Sequence, residues 1–253
     1  MTRLLVAAAG LVAAMTLTAG AQSQRPLPDR EALFNATREN LARAQREQGR
    51  YSYKERRTEL HTNPFGRLGT DGVVVYAVAP GPEPGVVYRT LLERDGVKVP
   101  DAKPERQESR ERRQSRSSID DVVATLNFVL DRREVRDGHE VIVVTFAAKP
   151  DARPETREGR LAKIFTGSIY VDEAAREIRR VDGMATDSIS FGLGMIARLN
   201  EGTRVSLVRE PVEGGIWLPT SIRFNGQGRA VLFRKLDIDL AIDWYDYKLV
   251  KRQ

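Results

Sequence analysis

The clearest pattern in the chain lies near its C-terminal end, where apolar and polar residues alternate one for one. Leu236, Ile238, Leu240, Ile242 and Trp244 fall on one side, and Asp237, Asp239, Ala241, Asp243 and Tyr245 on the other. A period of two with a single apolar face predicts a β-strand packed on a core on one side and wetted on the other. Taken from Leu232 to Trp244 at about 3.3 Å per residue, the strand is roughly 43 Å long, longer than most. A twisted strand of that length curves, and its concave side needs something to fill it.

The remaining segments predict the rest of such a sheet. Asp29–Gln48 reads as an amphipathic helix, with Asp29 as cap, Leu33, Ala36, Leu41 and Ala44 on one face, and Gly49 as its end. Tyr51–Leu60, Val73–Ala79, Val86–Arg94 and Val97–Val99 read as strands, with Asp95-Gly96 as a hairpin turn. Asp101–Ser117 is charged almost throughout and predicts either a solvated helix or a mobile excursion between two halves of the sheet. Ser118 reads as the cap of a short helix that turns Ile119, Val122, Val123, Leu126 and Val129 toward a core. After it come a hairpin, Phe128–Arg136 with Glu140–Ala148, and a short helix over Glu155–Phe165. A second hairpin, Gly167–Val171 with Glu177–Ala185, precedes the apolar stretch Ser188–Leu199 and strands over 203–209 and 216–224. Val141–Phe146 is apolar except at Thr145, which predicts burial on both faces. Pro219 withholds a ladder donor and therefore marks an edge or a bulge. The expected fold class is α+β and mainly antiparallel β: one curved sheet of about nine to eleven strands with helices filling its hollow side.

Composition narrows the setting. None of the 253 residues is a cysteine, which excludes disulfides, thiol chemistry and cysteine-based zinc sites. Thr2-Arg3, the apolar run Leu4–Leu17 and the small residues Ala19-Gly20-Ala21 predict a signal peptide over residues 1–21, because the run is shorter than the ~20 residues of a membrane-spanning helix. The expected organisation is then a segment with its helix over 22–50 and one domain over 51–253, carrying the charged insert 101–117. A periplasmic product with no transmembrane segment after cleavage follows. The net charge of +6 comes from 41 basic residues interspersed with 35 acidic ones, which suits solubility and weak attraction to anionic head groups, not nucleic acid.

Candidate chemistry is sparse. The two histidines, His61 and His139, fall in a loop and beside a hairpin turn, and the sequence holds no nucleophile motif or glycine-rich phosphate loop. Asp237, Asp239 and Asp243 offer carboxylates for a cation, but calcium sites draw their ligands from a loop that wraps the ion. The row reads instead as a solvated strand face paired with basic residues such as Arg223 and Arg209. No catalytic residue, metal or cofactor is expected. What remains is the concave apolar side, which Phe146, Phe165, Phe191, Met195, Trp217, Phe224, Phe233 and Trp244 are placed to line as a hydrophobic ligand site.

Phe165-Thr166-Gly167-Ser168-Ile169-Tyr170-Val171-Asp172, followed by Arg176-Glu177-Ile178-Arg179-Arg180-Val181-Asp182-Gly183, resembles a hairpin of the outer-membrane lipoprotein-sorting proteins (LolA/LolB-like) and their relatives. Gly215-Ile216-Trp217-Leu218-Pro219-Thr220 is similar to a second strand of that group. Tyr51–Leu60 and Val87–Gly96 are similar to an uncharacterised bacterial branch of it. The resemblance covers about residues 50–250 and does not account for the charged insert. It implies an incomplete antiparallel barrel capped by helices, with a cavity for acyl chains or other lipids, and a non-catalytic carrier of the bacterial envelope with an envelope protein as possible partner. The alternative expectation is an envelope scaffold or interaction protein whose concave face is filled by its own side chains.

Overall fold

The long alternating strand sits in the middle of the sheet. The computed structural model describes residues 25–63, 66–67, 72–83, 85–108, 120–191, 197–230 and 234–250. In it β15 (Arg234–Leu249) is flanked antiparallel by β1 (Tyr51–Asn63) and β14 (Trp217–Ala230). Outward from β1 come β3 (Gly72–Pro80), β4 (Val86–Arg94) and β5 (Val97–Lys98). Outward from β14 come β13 (Arg204–Pro211), β10 (Glu177–Ala185), β9 (Phe165–Asp172), β8 (His139–Ala148) and β7 (Leu126–Arg136). Four short strands are added: β2 (Gly66–Arg67) on β1, β6 (Glu105–Glu108) on β4, β12 (Ala197–Leu199) on β14, and β11 (Ile189–Phe191) on β12. The path begins at β5 and ends at β7, which do not pair, so the sheet is an open, curved half-barrel.

Helix α1 (Arg30–Gln48) covers the concave face. Asp29 caps it by accepting from the Ala32 amide, and Gly49 closes it. Leu33 near its start packs on Ile142, Val144 and Val171, with Phe34, Phe128, Leu130 and Ile169 around them. Ala44 near its end packs with Tyr51 and Leu218, beside Tyr247 and Leu249. The helix thus crosses the sheet from β8 and β9 to β14, β15 and β1. Val141 and Val143 alternate with Ile142 and Val144 and form a separate small core on the outer face with Tyr170. The Arg136 guanidinium lies 4.0 Å from the Tyr170 ring centroid. Burial of β8 on both faces, expected from a run that is apolar except at Thr145, is what the fold contains over Val141–Val144.

Two smaller helices complete the lid. The helix over 120–125 (α2) is tied to α1 by Arg38 and Asp120, 2.7 Å apart. Its Asp121 accepts from the Thr156 hydroxyl and amide at 2.6 and 2.8 Å, which holds the carboxyl below its ordinary value. Thr156 in turn caps α3 (Arg157–Ala162). One polar chain therefore runs through all three helices.

Several expectations need correction. The charged insert begins as a strand: β6 adds four residues to the edge of β4, where Val86↔Glu108 and Arg89↔Glu105 are in register. The rest of it, with Ser118 and Ile119, lies outside the described residues. The short helix ends at residue 125, so Leu126 and Val129 belong to β7; Val123 and Val129 are 44% and 51% exposed, not core-facing. Helical spacing is misleading here because a strand on an edge has its own period. Likewise Phe165 starts β9 and is not the end of a helix. Of the two readings of Pro219, an edge or a bulge, the bulge holds: it lies in an interior strand, opposite Arg209 where the β13 register slips. The signal-peptide residues lie outside the described residues.

Candidate functional site

The concave face has a part that α1 helps to seal and a part beyond it. Across β15, β14 and β13 the register sets Leu240 opposite Phe224 opposite Val205, and Ile242 opposite Ile222 opposite Leu207. Gly183 continues the first row. A Cβ there would meet Val205, Phe165 and Phe146 at 3.1, 3.4 and 3.6 Å, so the missing side chain is the space those groups use. Phe146 lies two residues from Val144 beneath α1, which places this band on the helix-covered face. Val205, Leu207, Ile222, Phe224, Leu240, Ile242 and Trp244 are all half-buried, and none of them belongs to a core cluster among the described residues. Trp244 is anchored at the edge of the band. Its indole Nε1 donates to Glu55 at 3.1 Å, and Glu55 also accepts from Arg89, whose guanidinium lies 3.8 Å from the Tyr76 ring centroid.

Of the eight residues expected to line a hydrophobic site, Phe146, Phe165, Phe224 and Trp244 stand on this face. Phe146 is buried beside the core and the other three are half-buried. Trp217 alternates with Leu218, which packs beneath α1, so its ring is turned to the opposite face. There the Arg179 guanidinium lies 5.1 Å from the ring centroid. Phe191 is the last residue of β11. Met195 and Phe233 lie outside the described residues.

A clasp that sequence reasoning missed holds α1 to the sheet. Glu177 receives Arg209 Nη1 at 3.2 Å, with both side chains nearly excluded from solvent, and Arg43 of α1 approaches its other oxygen to 3.6 Å. Arg209 also donates to the Trp217 carbonyl at 2.7 Å. Burial raises the Glu177 pKa and lowers that of Arg209, so desolvation outweighs the attraction on both sides of the pair. Strand alternation pairs Arg209 with the aspartate row because it says nothing about the bulge beside it. The other expected pairing holds: Arg223 meets Asp243 at 2.5 Å. Asp239 is exposed, and among the described residues no cluster of ligating side chains suits a metal. Further up the helix, the Asn40 amide donates to the carbonyls of Ala175 and Arg176 in the β9–β10 turn, both at 3.1 Å.

His61 is paired through its backbone with Ile238, so it is in a strand and not a loop. His139 is half exposed, with Nδ1 3.9 Å from Asp172, whose oxygens already serve the Ala174 and Ala175 amides and Arg179.

The outer face carries a groove of about 590 Å³. Its floor is a registered row of Thr145, Ser168, Asp182, Ser206 and Arg223 across β8, β9, β10, β13 and β14. Short side chains predominate in this row, and longer ones stand on either side of it: Arg180 on one, Met184 and Arg204 on the other. The groove is therefore a trench running across the strands.

No family model matches the chain, and no curated protein does. Among solved structures it is similar to a LolA superfamily protein from Nitrosomonas europaea, at 10% identity and a TM-score of 0.35, covering 90% of this chain and 96% of that one. It is also similar to a putative outer membrane lipoprotein-sorting protein domain from Vibrio parahaemolyticus, at 8% identity and 0.38, covering 87% and 93%. A DUF1329 family protein from Desulfovibrio piger matches at 15% identity and 0.33, covering 87% and 92%. The open half-barrel is defined by the strand order and register above.

Proposed function

We propose that this protein is a non-catalytic carrier that binds a hydrophobic ligand, a lipid or lipoprotein acyl chain, on the concave face of its half-barrel in the bacterial envelope. The observation that carries the reading is the half-buried apolar band from Val205 to Trp244, outside every core cluster of the described residues. An acyl chain laid along it would gain about 0.8 kcal/mol per buried CH₂ with no covalent chemistry. The leader-like residues 1–21 support export to the periplasm, and Phe146, Phe165, Phe224 and Trp244 are the proposed lining. Organic extraction of protein purified from envelope fractions, read by mass spectrometry, should yield bound lipid in a fixed molar ratio. Absence of lipid, together with no uptake of a fluorescent fatty acid, would overturn the carrier reading in favour of a scaffold with a filled interior.

A further inference from the structure

The trench opens on the outer face and shares only Gly183 and Val205 with the concave band, and its chemistry points to a different kind of ligand. Two of its three arginines are compensated. Arg180 donates through Nε to both oxygens of Asp182, at 2.8 and 2.7 Å, and Arg223 is held by Asp243. Arg204 is exposed and has no ion-pair partner among the described residues. Across the register from it stands Met184, 43% exposed, on the same wall. The floor between offers the hydroxyls of Ser168 and Ser206, each able to donate and accept, and that of Thr145, which donates to the Val129 carbonyl at 3.5 Å and has its lone pairs to offer.

We infer that this trench binds an extended acidic peptide segment of a partner protein, with a carboxylate on Arg204 and main-chain amides on the hydroxyl floor. Five strands at about 4.8 Å spacing span roughly 19 Å, the length of about six extended residues. Hydroxyls that both donate and accept match a peptide backbone, which presents N–H and C=O groups in turn. Among the described residues the lining holds no aromatic ring on which a sugar would stack. One uncompensated cation among the described lining residues is also too little for a nucleic-acid backbone, whose affinity comes from neutralising several phosphates. A recess set below a rim of Arg180, Met184 and Arg204 does not present the protruding apolar face by which a protein enters a bilayer. Arg204 instead gives the site its preference for acidic side chains, through one charge-assisted contact.

Fluorescence anisotropy of the full chain with a short labelled peptide of alternating Glu and Ser tests this, with the Gln counterpart as control. The Glu peptide should bind about tenfold more tightly than the Gln peptide at low salt. Arg204→Glu should abolish the difference, and Met184→Glu, an independent exposed position on the same wall, should weaken the Glu peptide comparably. Both variants should take up fluorescent fatty acid like the unmodified protein, because the concave face is untouched. Equal binding of the two peptides, or unchanged binding in Arg204→Glu, overturns the inference. So does capture of phosphatidylglycerol vesicles or of an anionic polysaccharide in place of the peptide.

Discussion

Arg209 and Glu177 form an ion pair almost wholly removed from solvent, with Nη1 3.2 Å from Oε2 and side chains 4% and 3% exposed. Both are shifted toward their neutral forms by burial. Such a pair is costly to break and contributes little by existing. Arg209→Met alone, which strands the carboxylate, should therefore lose about 3–5 kcal/mol. The double change Arg209→Met with Glu177→Leu should recover most of it, since apolar replacements of buried pairs are often neutral or better. Urea unfolding followed by tryptophan fluorescence measures both. A double variant no more stable than the single one would show that the pair is a net stabiliser.

Glu173 behaves in the opposite way. It receives both Nε and Nη2 of Arg133 at 2.6 Å, and that contact holds its carboxyl below the usual range. Arg133 also donates to the carbonyls of Arg25 and Pro26, so the pair secures the lead-in to α1. A carboxyl whose folded pKa is depressed stabilises the fold above its unfolded value, about 4.3, and loses that contribution as pH falls through the folded value. Stability should thus decline below about pH 5, and Glu173→Gln should flatten that decline. Thermal melts from pH 7 to pH 3 show whether the two slopes differ; identical slopes would contradict the assignment.

The contact face of α1 contains one residue that fits poorly. Thr37 is buried and its hydroxyl has no hydrogen-bond partner, whereas Leu33, one turn earlier, is fully enclosed. Thr37→Val keeps the shape, removes the unsatisfied oxygen and should gain about 1 kcal/mol. Leu33→Ala should lose about 2–5 kcal/mol. Equilibrium unfolding decides both signs, and a destabilised Thr37→Val would mean that the hydroxyl is hydrated or bonded.

The strands were legible in the sequence wherever alternation was clean or a turn was explicit. Asp137-Gly138, with φ of 50° and 77°, supplies the paired left-handed residues that a two-residue hairpin needs, and β7 and β8 follow from it. The one-sided alternation of β15 was legible, but its place between β1 and β14 was not, because alternation does not fix strand order. The Glu177–Arg209 clasp was not, because it joins a hairpin end to a bulged strand beneath a helix. Nor was the trench, which requires the register of five strands before Thr145, Ser168 and Ser206 come into one row. Alternation shows which face a residue takes; its neighbours on the next strand are settled by register and bulges.

One glycine makes that register possible. A Cβ on Gly167 would lie 1.9 Å from the Asp182 carbonyl oxygen, a backbone atom that cannot swing aside. Gly167→Ala should cost roughly 1–3 kcal/mol or more through overpacking and distort the trench floor. Gly138→Ala, with open space around it but φ at 77°, should cost only about 1 kcal/mol of backbone strain. Equal melting temperatures for the two variants would contradict the close approach.

The two tryptophans give the carrier reading its most direct test. Trp244 borders the concave band, and Trp217 is turned to the other face. Titration of a brominated fatty acid should quench the emission of a Trp217→Phe protein, which reports Trp244 alone, in a saturable manner. The same titration should leave a Trp244→Phe protein nearly unchanged. Saturable quenching confined to Trp244 is the predicted result. No quenching of either, or equal quenching of both, would contradict an acyl-binding concave face.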